Sequence, residues 1–218
     1  MSPDFVTSAG EMASAAIVLI GIAMVVTRSI GTAILLLVVQ SVVLGLGAAA
    51  VGLSRGSTEL VIGGVLTVAI RGVVLPLVLW RLLRASPIQY ERRLYLGPRA
   101  SAFVAIAIVF VAAAAVAHVQ VAADAPVRAL PAAIAEVLTG LLIIATRRKS
   151  ISMVVGLLVF ENGIALAALS LTAGMPLVME LGATFDLLIV MVVVQVHARR
   201  MLTTFGSLST DQLRNLRG

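Results

Sequence analysis

The sequence predicts an all-α, polytopic membrane protein of seven transmembrane helices, and three observations predict it. Of 218 residues, 61% are hydrophobic, and the mean hydropathy is +1.13. Only 12% are charged, against about 25% in soluble domains. That leaves too little polar surface to cover a water-soluble globule, so the bilayer is the expected solvent. The apolar residues also gather into runs close to the roughly 20 residues that cross a hydrocarbon core.

The seven runs are residues 6–26, 29–53, 59–82, 100–121, 130–146, 150–171 and 176–198. None alternates with period two, which excludes barrel strands. Short punctuated turns separate them, such as Gly52-Leu53-Ser54-Arg55-Gly56-Ser57. The N-terminus, Met1-Ser2-Pro3-Asp4, has no basic n-region, so no cleavable signal peptide is expected. Residues 1–84 hold the first three spans, and 85–128 a cytoplasmic loop and the fourth. Residues 129–201 hold the last three, and 202–218 a cytoplasmic tail. Within the tail, Ser209-Thr210-Asp211-Gln212 reads as a capping box opening a short helix, either solvated or docked on a partner subunit.

Lysine and arginine orient the spans. Arg28, then Arg84, Arg92, Arg93 and Arg99, then Arg147, Arg148 and Lys149, and finally Arg199, Arg200, Arg214 and Arg217 fall on one side of a seven-span chain. Arg55 and Arg128 fall on the other, with Asp4, Glu11, Glu59 and Asp124. The positive-inside rule puts the N-terminus outside and the C-terminus in the cytoplasm. The formal charge of +6 is thereby accounted for as topology signal, and nucleic acid is not an expected partner.

Absent cysteine excludes disulfides, thiol chemistry and iron–sulfur ligation by this chain. There is no Walker loop, HExxH or GxSxG. The two histidines, His118 and His197, fall on opposite sides in this topology and cannot share a metal or a haem.

Chemistry is instead expected at ionisable residues inside the spans: Arg71, Glu136, Glu161 and Asp186. Each costs about 2.5–3.5 kcal/mol at a helix centre, so a functional role is the default reading. Arg71 follows Gly64 and Thr67 on one face, and Pro76 predicts a kink just after it. The plainer alternative for Arg71 is a structural ion pair. Glu136 shares a face with Thr139 and Gly140; its alternative is an interfacial glutamate reaching headgroups, because Pro131 sits close before it. Glu161, followed by Asn162 and Gly163, lies too deep to reach either interface; its alternative is a protonated acid bonded to a neighbour. Asp186 begins a stripe through Val190 and Val193 to His197, about 16 Å along one face. That stripe could carry protons, although an interfacial residue is the plainer reading of His197. Burial and a nearby arginine act on such carboxyls in opposite directions, which is what a proton-relaying group requires.

Arg147-Arg148-Lys149-Ser150-Ile151-Ser152-Met153-Val154-Val155-Gly156-Leu157 resembles the entry to the second helix of the K subunit of respiratory complex I. Gln195-Val196-His197-Ala198-Arg199-Arg200 resembles that subunit's exit. With four spans in front, the chain is similar to the hydrogenase-4 component E family. Arg71 with Pro76, Glu180-Leu181-Gly182 with Phe185-Asp186, and Gly206-Ser207-Leu208-Ser209-Thr210-Asp211-Gln212-Leu213 fit that likeness. Leu158 stands where the K subunit places its second-helix glutamate, with Glu161 one turn later; Phe185 stands at the third-helix position, with Asp186 beside it.

The resemblance implies a membrane subunit, not catalytic alone, of a complex-I-like energy-converting hydrogenase in a bacterial or archaeal cell membrane. It implies no cofactor in this chain, with nickel–iron and iron–sulfur centres in partner subunits. It also implies antiporter-like membrane subunits and peripheral hydrogenase subunits as neighbours. Glu161 and Asp186, with Glu136 and Arg71, would transfer protons, and His197 and Asn162 are secondary candidates. The rival readings are a small subunit of a multi-subunit cation/proton antiporter and a purely structural scaffold.

Overall fold

The computed structural model describes residues 3–85, 90–91, 95–117 and 128–172. Its regular elements are helices: α1 (Pro3–Val26), α2 (Ile30–Arg55), α3 (Thr58–Thr67), a π-helical segment (Val68–Val74), α4 (Leu75–Ala85), α5 (Pro98–Val116), α6 (Leu130–Thr146) and α7 (Ser150–Thr172). The seventh expected span, 176–198, lies outside the described residues, as does the tail. Five helical stretches are long and apolar enough to cross a membrane: Ser8–Val26, Ile30–Arg55, Thr58–Arg84, Pro98–Val116 and Ser150–Leu171. Leu130–Thr146 is a shorter apolar helix.

The boundaries follow local chemistry. Ser29 caps α2 by accepting from Thr32 N–H at 3.3 Å. Gly56 ends α2 with φ 67°, a left-handed conformation in which glycine carries no Cβ penalty. Ser57 then caps α3 by accepting from Leu60 N–H at 3.4 Å. Pro98 occupies the first turn of α5, where its missing N–H costs nothing, so this helix starts two residues earlier than the apolar run suggests.

At Pro76, where a kink is expected, the helix changes register. The helix continues through the proline, and the preceding turns, Val68–Val74, widen to π register. Leu75 N–H bonds the Ile70 carbonyl five residues back. Pro76 cannot donate, and its ring would crowd the Gly72 carbonyl of a regular α-helix; the wider turn relieves both. Arg71 lies inside this segment.

α1 and α2 form one hairpin and α6 and α7 another, and the two pack together, with α3–α4 against α2 and α5 against α1 and α6. Small residues permit close approach. A Cβ on Gly163 of α7 would stand 2.6 Å from Val137 N of α6, and one on Gly45 of α2 would stand 2.7 Å from the Gly64 carbonyl of α3.

The interior separates into two apolar layers. One includes Met24, Ile34, Leu37, Leu75, Ile143 and Leu158. The other includes Ile17, Leu44, Leu60, Ala133 and Leu166. On α2 the first layer ends at Leu37 and the second begins at Leu44; on α7 they end and begin at Val159 and Leu166. The buried residues between are Gln40 and Ser41 on α2 and Asn162 and Gly163 on α7.

Candidate functional site

Gln40 lies in an otherwise apolar stretch of α2 and is fully buried. Its side-chain amide donates to the Ile17 carbonyl of α1 at 3.1 Å and to Glu136 Oε1 of α6. Asn162 of α7, also buried, donates from Nδ2 to Gln40 Oε1 at 3.0 Å and to Ser41 Oγ at 3.3 Å. Arg71 Nη1 donates to Asn162 Oδ1 at 3.3 Å. Its other terminal nitrogen pairs with Glu161 Oε2 at 3.2 Å. A continuous polar chain therefore runs Glu161–Arg71–Asn162–Gln40–Glu136, drawing on α2, the π segment, α6 and α7 and anchored on α1.

The two ends differ. Glu136 is wholly buried, and its Oε2 has no hydrogen-bond partner. That oxygen rests against Gly21, where a Cβ would stand 2.6 Å away. Glu161 has 18% of its side chain exposed, against 7% for Arg71. The chain is closed at α1 and reaches the surface of the described bundle at Glu161.

Four sequence-selected residues, Arg71, Glu136, Glu161 and Asn162, thus meet in one layer. Glu136 does not reach outward as an interfacial glutamate; it points into the bundle, where Gly21 leaves it room. Glu161 has Arg71 as its neighbour, 3.2 Å away. Asp186 and His197 lie outside the described residues, as does His118. Sequence reasoning missed Gln40 and Ser41; an amide beside a hydroxyl in a Leu/Val run is only a weak signal.

A second buried charge group sits at the helix ends. Arg147 follows α6 and is 5% exposed. It donates to the Met24 and Val25 carbonyls at the C-terminus of α1, at 2.9 and 2.7 Å, and to Glu91 at 3.4 Å. Glu91, 1% exposed, accepts from the backbone N–H groups of Arg148 and Lys149 at 2.6 and 3.0 Å. It thereby caps the start of α7 from a distant loop. Burial pushes the Arg147 guanidinium down from its ordinary value, and Glu91 opposes this by charge and hydrogen bond. The Arg148 guanidinium lies 4.1 Å over the Tyr95 ring. The basic triplet read as a topology signal is therefore also structural: Arg147 faces the protein.

Among the described residues, no group of three or more His, Cys, Asp or Glu is placed to hold a metal ion. The layer is held by charge pairing and amide hydrogen bonds.

The chain is 33% identical to the uncharacterized protein Rv0085 of Mycobacterium tuberculosis over 213 residues, 95% of each chain. It belongs to the family of this mycobacterial protein. It is also a distant homologue of hydrogenase-4 component E, 28% identical over 147 residues to the Escherichia coli K12 and Shigella flexneri proteins, covering 67% of this chain and 68% of theirs. No family model and no solved structure matches the chain. This family member is a membrane protein by its apolar helices.

Proposed function

We propose that the chain is a non-redox membrane-arm subunit of a complex-I-like hydrogenase, and that its buried polar layer takes part in proton translocation. The observation that carries this reading is the polar chain from Glu161 to Glu136. Two carboxyls and an arginine lie deep between apolar layers, connected through two amides, where leucine and valine would have been cheaper. Component E of a hydrogenase is, by its name, one part of an assembly, and homology to it supports a subunit role over that of an enzyme acting alone. Redox chemistry then belongs to partner subunits carrying nickel–iron and iron–sulfur centres.

In this reading Glu161 is the proton-exchanging carboxyl, because it is the end of the layer open to neighbouring protein or water. Arg71 is its counter-charge. Glu136 sits at the closed end and answers to the charge at the open one. Asp186 and His197 belong to the same proposal through the K-subunit resemblance. The orientation is the one the basic residues predict, with an external N-terminus and a cytoplasmic C-terminus in the cell membrane.

The test is to purify the tagged chain in mild detergent, identify co-purifying subunits by mass spectrometry, and reconstitute the assembly in vesicles. Glu161→Gln should leave the assembly intact and lower proton translocation per electron transferred. Unchanged coupling with intact assembly removes Glu161 from the path. Recovery of the chain by itself counts against the subunit reading.

A further inference from the structure

From Arg71 to Glu136 the layer's hydrogen bonds run one way, with side branches to Ser41 and Ile17. Arginine only donates, so the atom that Arg71 meets on Asn162 is the carbonyl oxygen. The Ile17 carbonyl only accepts, so the atom that Gln40 turns to it is nitrogen. These two fixed ends set both amides between them. Asn162 must give its N–H to Gln40 Oε1, and Gln40 must give its N–H to Glu136. Along this path one donor of each residue points toward Glu136, and aligned hydrogen bonds polarise one another in a low-dielectric interior.

Arg71 consequently serves two carboxyls. It touches Glu161 directly and reaches Glu136 through two oriented amide dipoles. Among the described residues few other charges compete, and Glu59 stands in the first turn of α3, about three turns before Arg71. On α1 the charged residues, Asp4 and Glu11, lie in the half remote from Gly21, and α2 carries only Arg55 at its end. α5 carries only Arg99 in its first turn, and Glu161 is the one charge of α7. Arg81 and Arg84 of α4 lie at least two turns beyond Arg71. Among the described residues, Glu136 has no ion-pair partner.

We propose that Gln40 and Asn162 are positioning residues that make Glu136 and Glu161 share the positive charge of Arg71, so that a change of protonation at one carboxyl is felt at the other. Neither amide passes the proton; each holds the dipole that carries the charge's influence. This rests on the reading of Glu161 as the exchanging carboxyl. It also explains why the closed end of the layer holds an acid: Glu136 is the sensor of the open end.

The test needs no partner subunit. The full chain in lipid nanodiscs is titrated by infrared spectroscopy of the protonated carboxyl C=O band, with Glu136→Gln used to assign the Glu136 signal. Glu161→Gln should move the Glu136 titration midpoint by on the order of one pH unit, the size that marks coupled sites. In an Asn162→Ala background, the same Glu161 change should leave the midpoint in place. Gln40→Met is a second, independent break with the same expected result, and circular dichroism reports whether each variant folds. A merely structural amide would not alter how Glu136 responds to Glu161. An equal shift with either amide removed, or no shift in the native background, overturns the proposal. The infrared result stands whether or not translocation is lost in the assembled complex, so the two readings can fail separately.

Discussion

Gly21 of α1 and Glu136 of α6 are matched across a helix interface: a Cβ at position 21 would stand 2.6 Å from Glu136 Oε2 and 2.7 Å from Oε1. The absent methyl group is the room the carboxyl occupies. Gly21→Val should therefore displace Glu136 and lower stability by roughly 1–3 kcal/mol, the usual cost of overpacking a filled interior. Gly47→Val is the control, because a Cβ there would meet nothing within 4 Å. Unfolding of both variants in detergent, followed by circular dichroism, measures the difference. Equal behaviour would mean that the α1–α6 interface yields easily at Gly21.

Arg71 uses two terminal nitrogens on two partners, Asn162 and Glu161. Lysine has one compact ammonium on a flexible stem and cannot reproduce that fork. Arg71→Lys should keep the ion pair, loosen Asn162, and cost less than Arg71→Met. The methionine variant leaves Glu161 without its counter-charge, and breaking one side of a buried pair costs about 3–5 kcal/mol. Thermal unfolding of the three proteins should rank arginine above lysine above methionine. Methionine at or above arginine would show that the pair does not support the fold.

The parts of this layer that were legible in the sequence are those whose cost is large. Arg71, Glu136 and Glu161 stand out because a charge in an apolar run is expensive, and Asn162 was noticed as Glu161's neighbour. Gln40 and Ser41 were not, since a single amide and a hydroxyl interrupt a Leu/Val run only mildly, and nothing local shows that they face Asn162. Glu91 sits among loop arginines, where an acid reads as solvated; that it caps α7 depends on contacts more than fifty residues apart in sequence. Pro76 announced a disturbance near Arg71, but a proline alone does not specify that the turns before it, Val68–Val74, widen to π register. The helices themselves were readable almost throughout the described residues, because apolar run length sets them.

Ser41 and Asn162 separate two sizes of effect. Ser41 Oγ accepts a second bond from an Asn162 nitrogen that already serves Gln40. Removing it by Ser41→Ala should cost about 0.6 kcal/mol, the mean for hydrogen bonds between membrane helices. Asn162→Ala leaves both the Gln40 oxygen and one Arg71 nitrogen short of a partner, and buried unmatched polar groups cost about 1–3 kcal/mol each. Denaturation in mixed detergent should place the alanine at 162 well below the alanine at 41. Equal losses would mean that the network tolerates the loss of its central amide by repacking.

Glu91 joins three structural duties in one carboxylate. Oε1 accepts the Arg148 and Lys149 N–H groups at the start of α7, where a negative charge also suits the helix dipole. Oε2 faces Arg147, which itself holds the Met24 and Val25 carbonyls at the end of α1. Glu91→Gln keeps an acceptor but removes the charge; Glu91→Ala removes both. The alanine variant loses a helix cap, worth about 1 kcal/mol, and leaves Arg147 buried with only neutral carbonyls. The larger loss, about 3–5 kcal/mol, is that of a buried charge deprived of its partner. Glutamine should fall between alanine and the native protein. Because the penalty lies in the stranded guanidinium, Glu91→Ala combined with Arg147→Met should recover part of the stability lost by Glu91→Ala alone. Thermal unfolding of this double-mutant cycle decides it: losses that simply add would show that Glu91 and Arg147 act on the fold independently, and the clamp would then be two separate caps.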